Sequence, residues 1–264
     1  MSERGSGSAG PSESTRAERL AASEGRRPEP TAIKQALTLL VARTCRAMAV
    51  AGLFDMHGHI SVRDGDVIYI NDRRSSRATL RPDQVAVVRI ADGEALHGEP
   101  PSETALHLAC FRARPDVGSA AHFHPLFATA FATAGRPLVC AYNAGVAFGR
   151  EVPVFDDPDL VRRDDQGREV ATVLGKERAA LLRGHGVIVV GEDVPTCVTA
   201  SLYLEESAKR LAHTVALGEA KAFSDDEIAR VRASIWQPFV IEKTWTDALE
   251  RARIAGALDD LPGA

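Results

Sequence analysis

The chain has 264 residues, 45% of them hydrophobic and 26% charged, proportions that exclude a wholly disordered chain, a coiled coil or a low-complexity polymer. A net charge of -4 offers no global attraction to nucleic acid or to an anionic membrane, so small-molecule partners are favoured. No apolar run approaches the ~18 residues needed to cross a bilayer, and Cys45, Cys110, Cys140 and Cys197 are too scattered for a CxxC site or a disulfide framework.

Residues 1–30 are rich in Gly, Ser, Glu and Arg and lack the apolar core of a secretory signal. A disordered tail is expected there, with the cytoplasm as the default location. Residues 31–264 then read as a single α/β domain. Thr31 can cap a helix whose apolar positions run from Ile33 to Ala49 at helical spacing, up to Gly52. Short β-branched runs at 59–63, 67–70 and 85–90, separated by Asp, Gly and Asn, predict strands. Ser102 and Glu103 open a helix over 104–113, and a strand over 117–123 ends at His124 and Pro125. A helix over 126–134 follows, then short strands at 139–140 and 152–155, and a helix over 169–182. GHGVIVVG at 184–191 predicts a buried strand, Asp193 caps a long helix to about Leu217, and 225–253 is helical with a break at Pro238.

His122 and His124 are the most informative residues, because positions i and i+2 of a strand share a face and both imidazoles can reach one cation. His185, between Gly184 and Gly186, is the third candidate, since the glycines permit close approach. Three neutral imidazoles with an open fourth position suit catalytic zinc, manganese or iron. A second HxH pair, His57 and His59, competes, although Gly58 suggests a turn there. Glu103 begins a helix, where an ionised carboxylate is favoured, and reads either as a first-turn carboxylate or as a general acid/base. His107, four residues on, can pair with it. The segment RRSSRATLR, with Ser75, Ser76 and Arg77 at its centre, can bind a carboxylate or phosphate through guanidinium and hydroxyl donors, or serve as solvated surface.

GHIS at 58–61, PPSE at 100–103, ARPDVGSAAHFHP at 113–125 and RGHGVIVVG at 183–191 resemble the class II aldolase and adducin family in motif, order and spacing. The resemblance implies a three-layer α/β/α fold on a mainly antiparallel nine-stranded sheet, assembled as a homotetramer. It further implies that His122, His124 and His185 bind one divalent cation and that Glu103 is the acid/base. Sugar-phosphate aldolases of the family carry Asn in a GNxS motif, a Thr-Gly phosphate loop and a Ser-Ser-Glu segment. This chain has His59, RSSRAT and Pro101-Ser102-Glu103 instead, which counts against a phosphate handle. The GHIS form looks more like the branch that decarboxylates hydroxylated aromatic dicarboxylates. The expected activity is therefore a metal-dependent carbon-carbon lyase acting on a small anionic substrate, with His59, Ser61, Ser75, Ser76, Arg77 and Ser102 as substrate contacts. An aldolase on a sugar phosphate or 2-oxo acid, an iron-and-dioxygen enzyme and a non-catalytic adducin-like module are the alternatives.

Overall fold

A computed structural model describes residues 33–263, so the expected tail and the Thr31 cap lie outside the described residues. Helix α1 (Gln35–Val50) starts with Lys34 at its N-cap, which makes no side-chain capping bond. Strands β1 (His59–Asp64), β2 (Val67–Asn71), β3 (Val85–Arg89) and β4 (Ala95–His97) follow as an antiparallel meander. Next come α2 (Thr104–Ala113), β5 (Ser119–Phe123), α3 (Leu126–Thr133), β6 (Val154–Phe155), α4 (Asp164–Leu174), β7 (Ala179–Leu182) and β8 (Gly186–Gly191). The chain closes with α5 (Val194–Leu217), α6 (Asp225–Ile235) and α7 (Pro238–Ile254). Asp193 caps α5 by accepting the Thr196 N–H at 2.8 Å, as its type and position predict.

The strand order is β4-β3-β2-β1-β5-β8-β7-β6, antiparallel except for the β6/β7 pair. Alternation along each strand sends its side chains into two separate cores. Ile60, Tyr69, Val87, Phe123, Leu181 and Val189 face α1, α3, α5 and α7. Ile68, Ile70, Val88, Ala120, Leu182 and Ile188 face α2 and α4 with Leu106, Phe111, Val170 and Leu174. Each fully buried Leu, Ile, Val or Phe contributes about 1.5–3 kcal/mol relative to exposure, so both faces need a cover. The result is a three-layer α/β/α arrangement. Helices α2 and α4 approach closely at Gly167, where a Cβ would stand 2.8 Å from the Ala105 carbonyl oxygen. Among the described residues no helix is long and apolar enough to cross a membrane.

Two expectations are corrected. The sheet has eight strands among the described residues rather than nine: Val139 forms only an isolated bridge with Glu151, bracketed by Pro137 and Pro153, which cannot donate to a ladder. The helix expected over 169–182 is instead α4, ending at Leu174, followed by strand β7. Gly175, at φ +52°, terminates the helix, and the apolar run of β7 is buried on both sides of the sheet.

Arg46 on α1 is buried, with 2% of its surface exposed. Its guanidinium donates to the carbonyls of Leu80, at 2.8 Å, and Ala257, at 2.9 Å, and pairs with Asp260. A buried charge so fully bonded ties the end of the arginine-rich loop and the C-terminal segment to one helix.

Candidate functional site

The site lies at one end of the sheet, where β1 and β8 begin and β5 ends. Cross-strand register places His59 opposite His122, and His122 opposite Ile188. Both imidazoles therefore stand on the face covered by α2. Of the eight histidines, six gather here. Ring centroids lie 5.3 Å apart for His59 and His122, 5.0 Å for His122 and His124, 4.8 Å for His122 and His185, 5.7 Å for His59 and His107, and 6.2 Å for His57 and His124.

His122, His124 and His185 each offer one ring nitrogen, and these atoms all lie within 4.8 Å of one another. The remaining polar contacts of two of the rings are already assigned. Nδ1 of His122 is 2.8 Å from the Val187 carbonyl oxygen, which can only accept, so this nitrogen carries the proton and Nε2 keeps its lone pair. Nδ1 of His124 meets the Asp55 carboxylate at 3.0 Å in the same way. Nε2 of His122 and both nitrogens of His185 are buried without a hydrogen-bond partner. Orphaned ring nitrogens of this kind, gathered beside a nitrogen of His124, fit a divalent cation. Gly186 makes the convergence possible: a Cβ there would stand 2.4 Å from the Phe123 carbonyl oxygen and 2.7 Å from Cδ2 of His124.

Glu103 is the N-cap residue of α2 and makes no side-chain capping bond. Its carboxylate turns to the histidines instead, with Oε2 3.6 Å from His122 Nε2 and Oε1 3.4 Å from His185 Nε2. Oε1 also accepts the Val161 N–H at 3.2 Å. Burial opposes ionisation of Glu103, but His185, His122 and the Val161 N–H outweigh it and hold the carboxyl at about 2. Burial has the opposite consequence for three of the imidazoles, those of His122, His107 and His59, which it keeps neutral. His122 falls to about 3, against a smaller upward pull from Glu103, and His107 to about 4. His59 also lies well below the ordinary histidine value, through burial and then its neighbours His122 and His107. Burial likewise disfavours the ionised form of Asp55, but the His57 N–H and His124 more than compensate and its carboxyl is lowered.

A cavity of about 450 Å³ opens over this cluster, lined by His57, His59, Arg73, Arg77, Pro101, Ser102, Glu103, His124, Leu160, Arg162 and His185. Of the expected substrate contacts, His59, Arg77 and Ser102 line it. Ser75 lies behind Arg77, whose guanidinium donates to the Ser75 carbonyl and hydroxyl and to the Asp72 carbonyl. Three of the expected contacts, Ser61, Ser75 and Ser76, do not line the cavity. Ser61 shares the strand face of His59 but is fully buried beneath the site, its hydroxyl 2.7 Å from Nδ1 of His107 and 3.3 Å from the Ala120 carbonyl oxygen, because α2 covers that face at its depth. Ser76 is exposed and absent from the lining, since the turn that seats Ser75 and Arg77 directs it outward. His107 is engaged with Ser61 rather than with Glu103. Leu160 and Arg162 belong to the site without belonging to any motif read from the sequence, whereas Asp55 opens the Asp-Met-His stretch that precedes GHIS but carried no role there.

A profile of the Class II Aldolase and Adducin N-terminal domain family matches residues 40–212. A 3,4-dihydroxyphthalate decarboxylase of Rhodococcus jostii (strain RHA1) is 33% identical over 204 residues, covering 71% of this chain and 84% of the relative. An L-fuculose phosphate aldolase of Methanocaldococcus jannaschii is 29% identical over 154 residues, covering 58% of this chain and 82% of the relative. The solved structure of an L-fuculose 1-phosphate aldolase from Glaciozyma antarctica PI12 superposes with a TM-score of 0.73 at 19% identity, covering 89% of this chain and 96% of that one. With the profile spanning most of the chain and the fold shared, the chain belongs to the class II aldolase and adducin family.

Proposed function

We propose that this class II aldolase-family lyase decarboxylates a hydroxylated aromatic dicarboxylate. The observation that carries the reading is the composition of one cavity. Glu103 and His185 share its wall with Pro101 and Leu160, an apolar pair on which a ring can lie, and with Arg77, which can hold a carboxylate. The similarity to a 3,4-dihydroxyphthalate decarboxylase supports the same substrate class.

His122, His124 and His185 would hold a divalent cation, zinc, manganese or iron, through the nitrogens described above. Bound there, such an ion supplies Lewis acidity toward a substrate hydroxyl and carboxylate. The protein's own groups do the rest. Glu103 is ionised at neutral pH, so it first takes the proton of the substrate hydroxyl. Loss of CO2 breaks the bond between ring carbon and carboxylate and leaves the electron pair on the ring, and Glu103 returns the proton to that carbon. The Val161 N–H fixes one carboxylate oxygen during both transfers. His59 and Ser102 border the position of the ring, and Arg77, braced by the Asp72 and Ser75 carbonyls, holds the carboxylate that stays. A homotetramer is part of this reading, checked by light scattering of the purified protein.

The test is incubation of the purified protein with 3,4-dihydroxyphthalate, measuring CO2 release alongside aldehyde release from L-fuculose 1-phosphate. CO2 release abolished by a chelator and restored by a divalent cation is expected. Aldehyde release without CO2 would replace the decarboxylase with an aldolase.

A further inference from the structure

Arginines near the site divide into two kinds. On the connection after β2, Arg74 pairs with Glu99 and Arg81 with Asp83. On the connection after β6, which carries Asp156, Asp157 and Asp159, neighbouring Arg163 pairs with Asp165, and Arg183 of the adjacent strand end pairs with Asp156. Arg73, Arg77 and Arg162 have no carboxylate partner among the described residues, and these are the three that line the cavity. A second cavity, of about 500 Å³, shows the contrast: three of its four arginines, Arg114, Arg150 and Arg178, are paired with Asp116, Asp225 and Glu192.

The unpaired arginines also come from two directions. Arg73 and Arg77 follow β2, on one side of the strands β1, β5 and β8 that bear the histidines, whereas Arg162 follows β6 at the opposite edge of the sheet. Arg162 is nevertheless held in place at its backbone. Its N–H donates to the Leu160 carbonyl at 3.0 Å and to Oε1 of Gln166 at 3.2 Å, and the preceding N–H, of Val161, holds Glu103. An exposed guanidinium on an anchored backbone, beside acids it does not pair with, is free to accept an anion from the cavity.

We infer that Arg162 is a specificity-determining residue that binds a carboxylate of the substrate at a position separate from the one served by Arg73 and Arg77, so that the site selects aromatic dicarboxylates over monocarboxylates. One compact phosphate would satisfy one of these positions and leave the other vacant. Two carboxylates on one ring satisfy both. For the identity of the ligand the inference rests on the decarboxylase reading; the pairing pattern is independent of it.

The test is calorimetric binding to the full-length protein as purified, with phthalate, benzoate and inorganic phosphate as probes. Arg162→Ala is expected to weaken phthalate binding at least tenfold, the range for a hydrogen-bonded charge, while benzoate binding changes less than about twofold. Arg162→Lys should fall between, since a point charge replaces a fork, and Arg163→Ala should match the unaltered protein. Three results would overturn the inference: no measurable phthalate binding, equal losses for phthalate and benzoate, or inorganic phosphate displacing phthalate with the same dependence on Arg162. Arg162-dependent phthalate binding together with no CO2 release from any dihydroxyphthalate would remove the decarboxylase reading and leave the carboxylate clamp standing.

Discussion

Replacing Asp55 by Ala separates the support of a metal ligand from the ligand itself. Asp55 accepts from Nδ1 of His124 at 3.0 Å, and its other oxygen accepts the His57 backbone N–H at 2.7 Å. Losing the carboxylate frees the His124 ring to rotate and to change tautomer, and it loosens the turn before β1. Partners of this kind alter metal affinity by roughly 10- to 100-fold. The Asp55 side chain is 46% exposed, so water takes over part of its role and the low end applies, about tenfold, or about 1.4 kcal/mol. Zinc affinity measured by competition with a chromophoric chelator reads this directly. His124→Ala, which deletes a ligand, should lose far more, and His57→Ala should lose little, because only the backbone of His57 is engaged by Asp55. Unchanged affinity in Asp55→Ala would refute the reasoning. A loss beyond about 100-fold would make Asp55 a ligand in its own right.

Glu103→Gln keeps the size of the side chain and an oxygen for the Val161 N–H, so kcat should fall about 100-fold or more with metal content unchanged; full activity would take Glu103 out of the mechanism. Gly186→Ala forces a methyl against the Phe123 carbonyl and the His124 ring, and a destabilisation of about 1–3 kcal/mol with weakened metal binding is expected; an unchanged melting temperature and affinity would show that the strands can part there. The buried imidazole of His107 titrates at about 4 in the folded protein, while in the unfolded chain it takes a proton below about 6.5. Its contribution to stability is therefore complete above about 6.5 and is lost as the pH falls toward 4, by about 2 kcal/mol between pH 7 and pH 5. Urea denaturation of the metal-free protein at both pH values measures the loss, and His107→Gln should remove that part of the difference.

The histidine set was legible because strand alternation puts residues 122 and 124 on one side and because glycines flank 185. Ser61 shows the limit of the same rule: alternation places it on the correct face but does not say whether that face is open or covered at that depth, and α2 covers it. Residues 169–182 illustrate a second limit. Ala and Leu suit helix and buried strand alike, and only Gly175 marked the change, so the short apolar run of β7 merged with the helix before it. Arg162 could not be found by either route. Its role depends on which neighbouring acids it leaves unpaired, and pairing is a property of the folded loops.

His59, His122, His124 and His185 sit on or beside β1, β5 and β8, in the middle of the sheet, whereas Arg73, Arg77 and Arg162 ride on the connections after β2 and β6. Substrate preference can therefore diverge through descent while the metal-binding framework and the two cores stay untouched. The same separation guides laboratory evolution. Randomising the exposed residues 73, 74, 76, 78, 158–160 and 162 explores new acids at nearly constant folding stability, with the buried Ser75, Arg77 and Val161 kept. Randomising 185–190 yields mostly chains that fail to fold, since Val187, Ile188, Val189 and Val190 are buried in the central sheet.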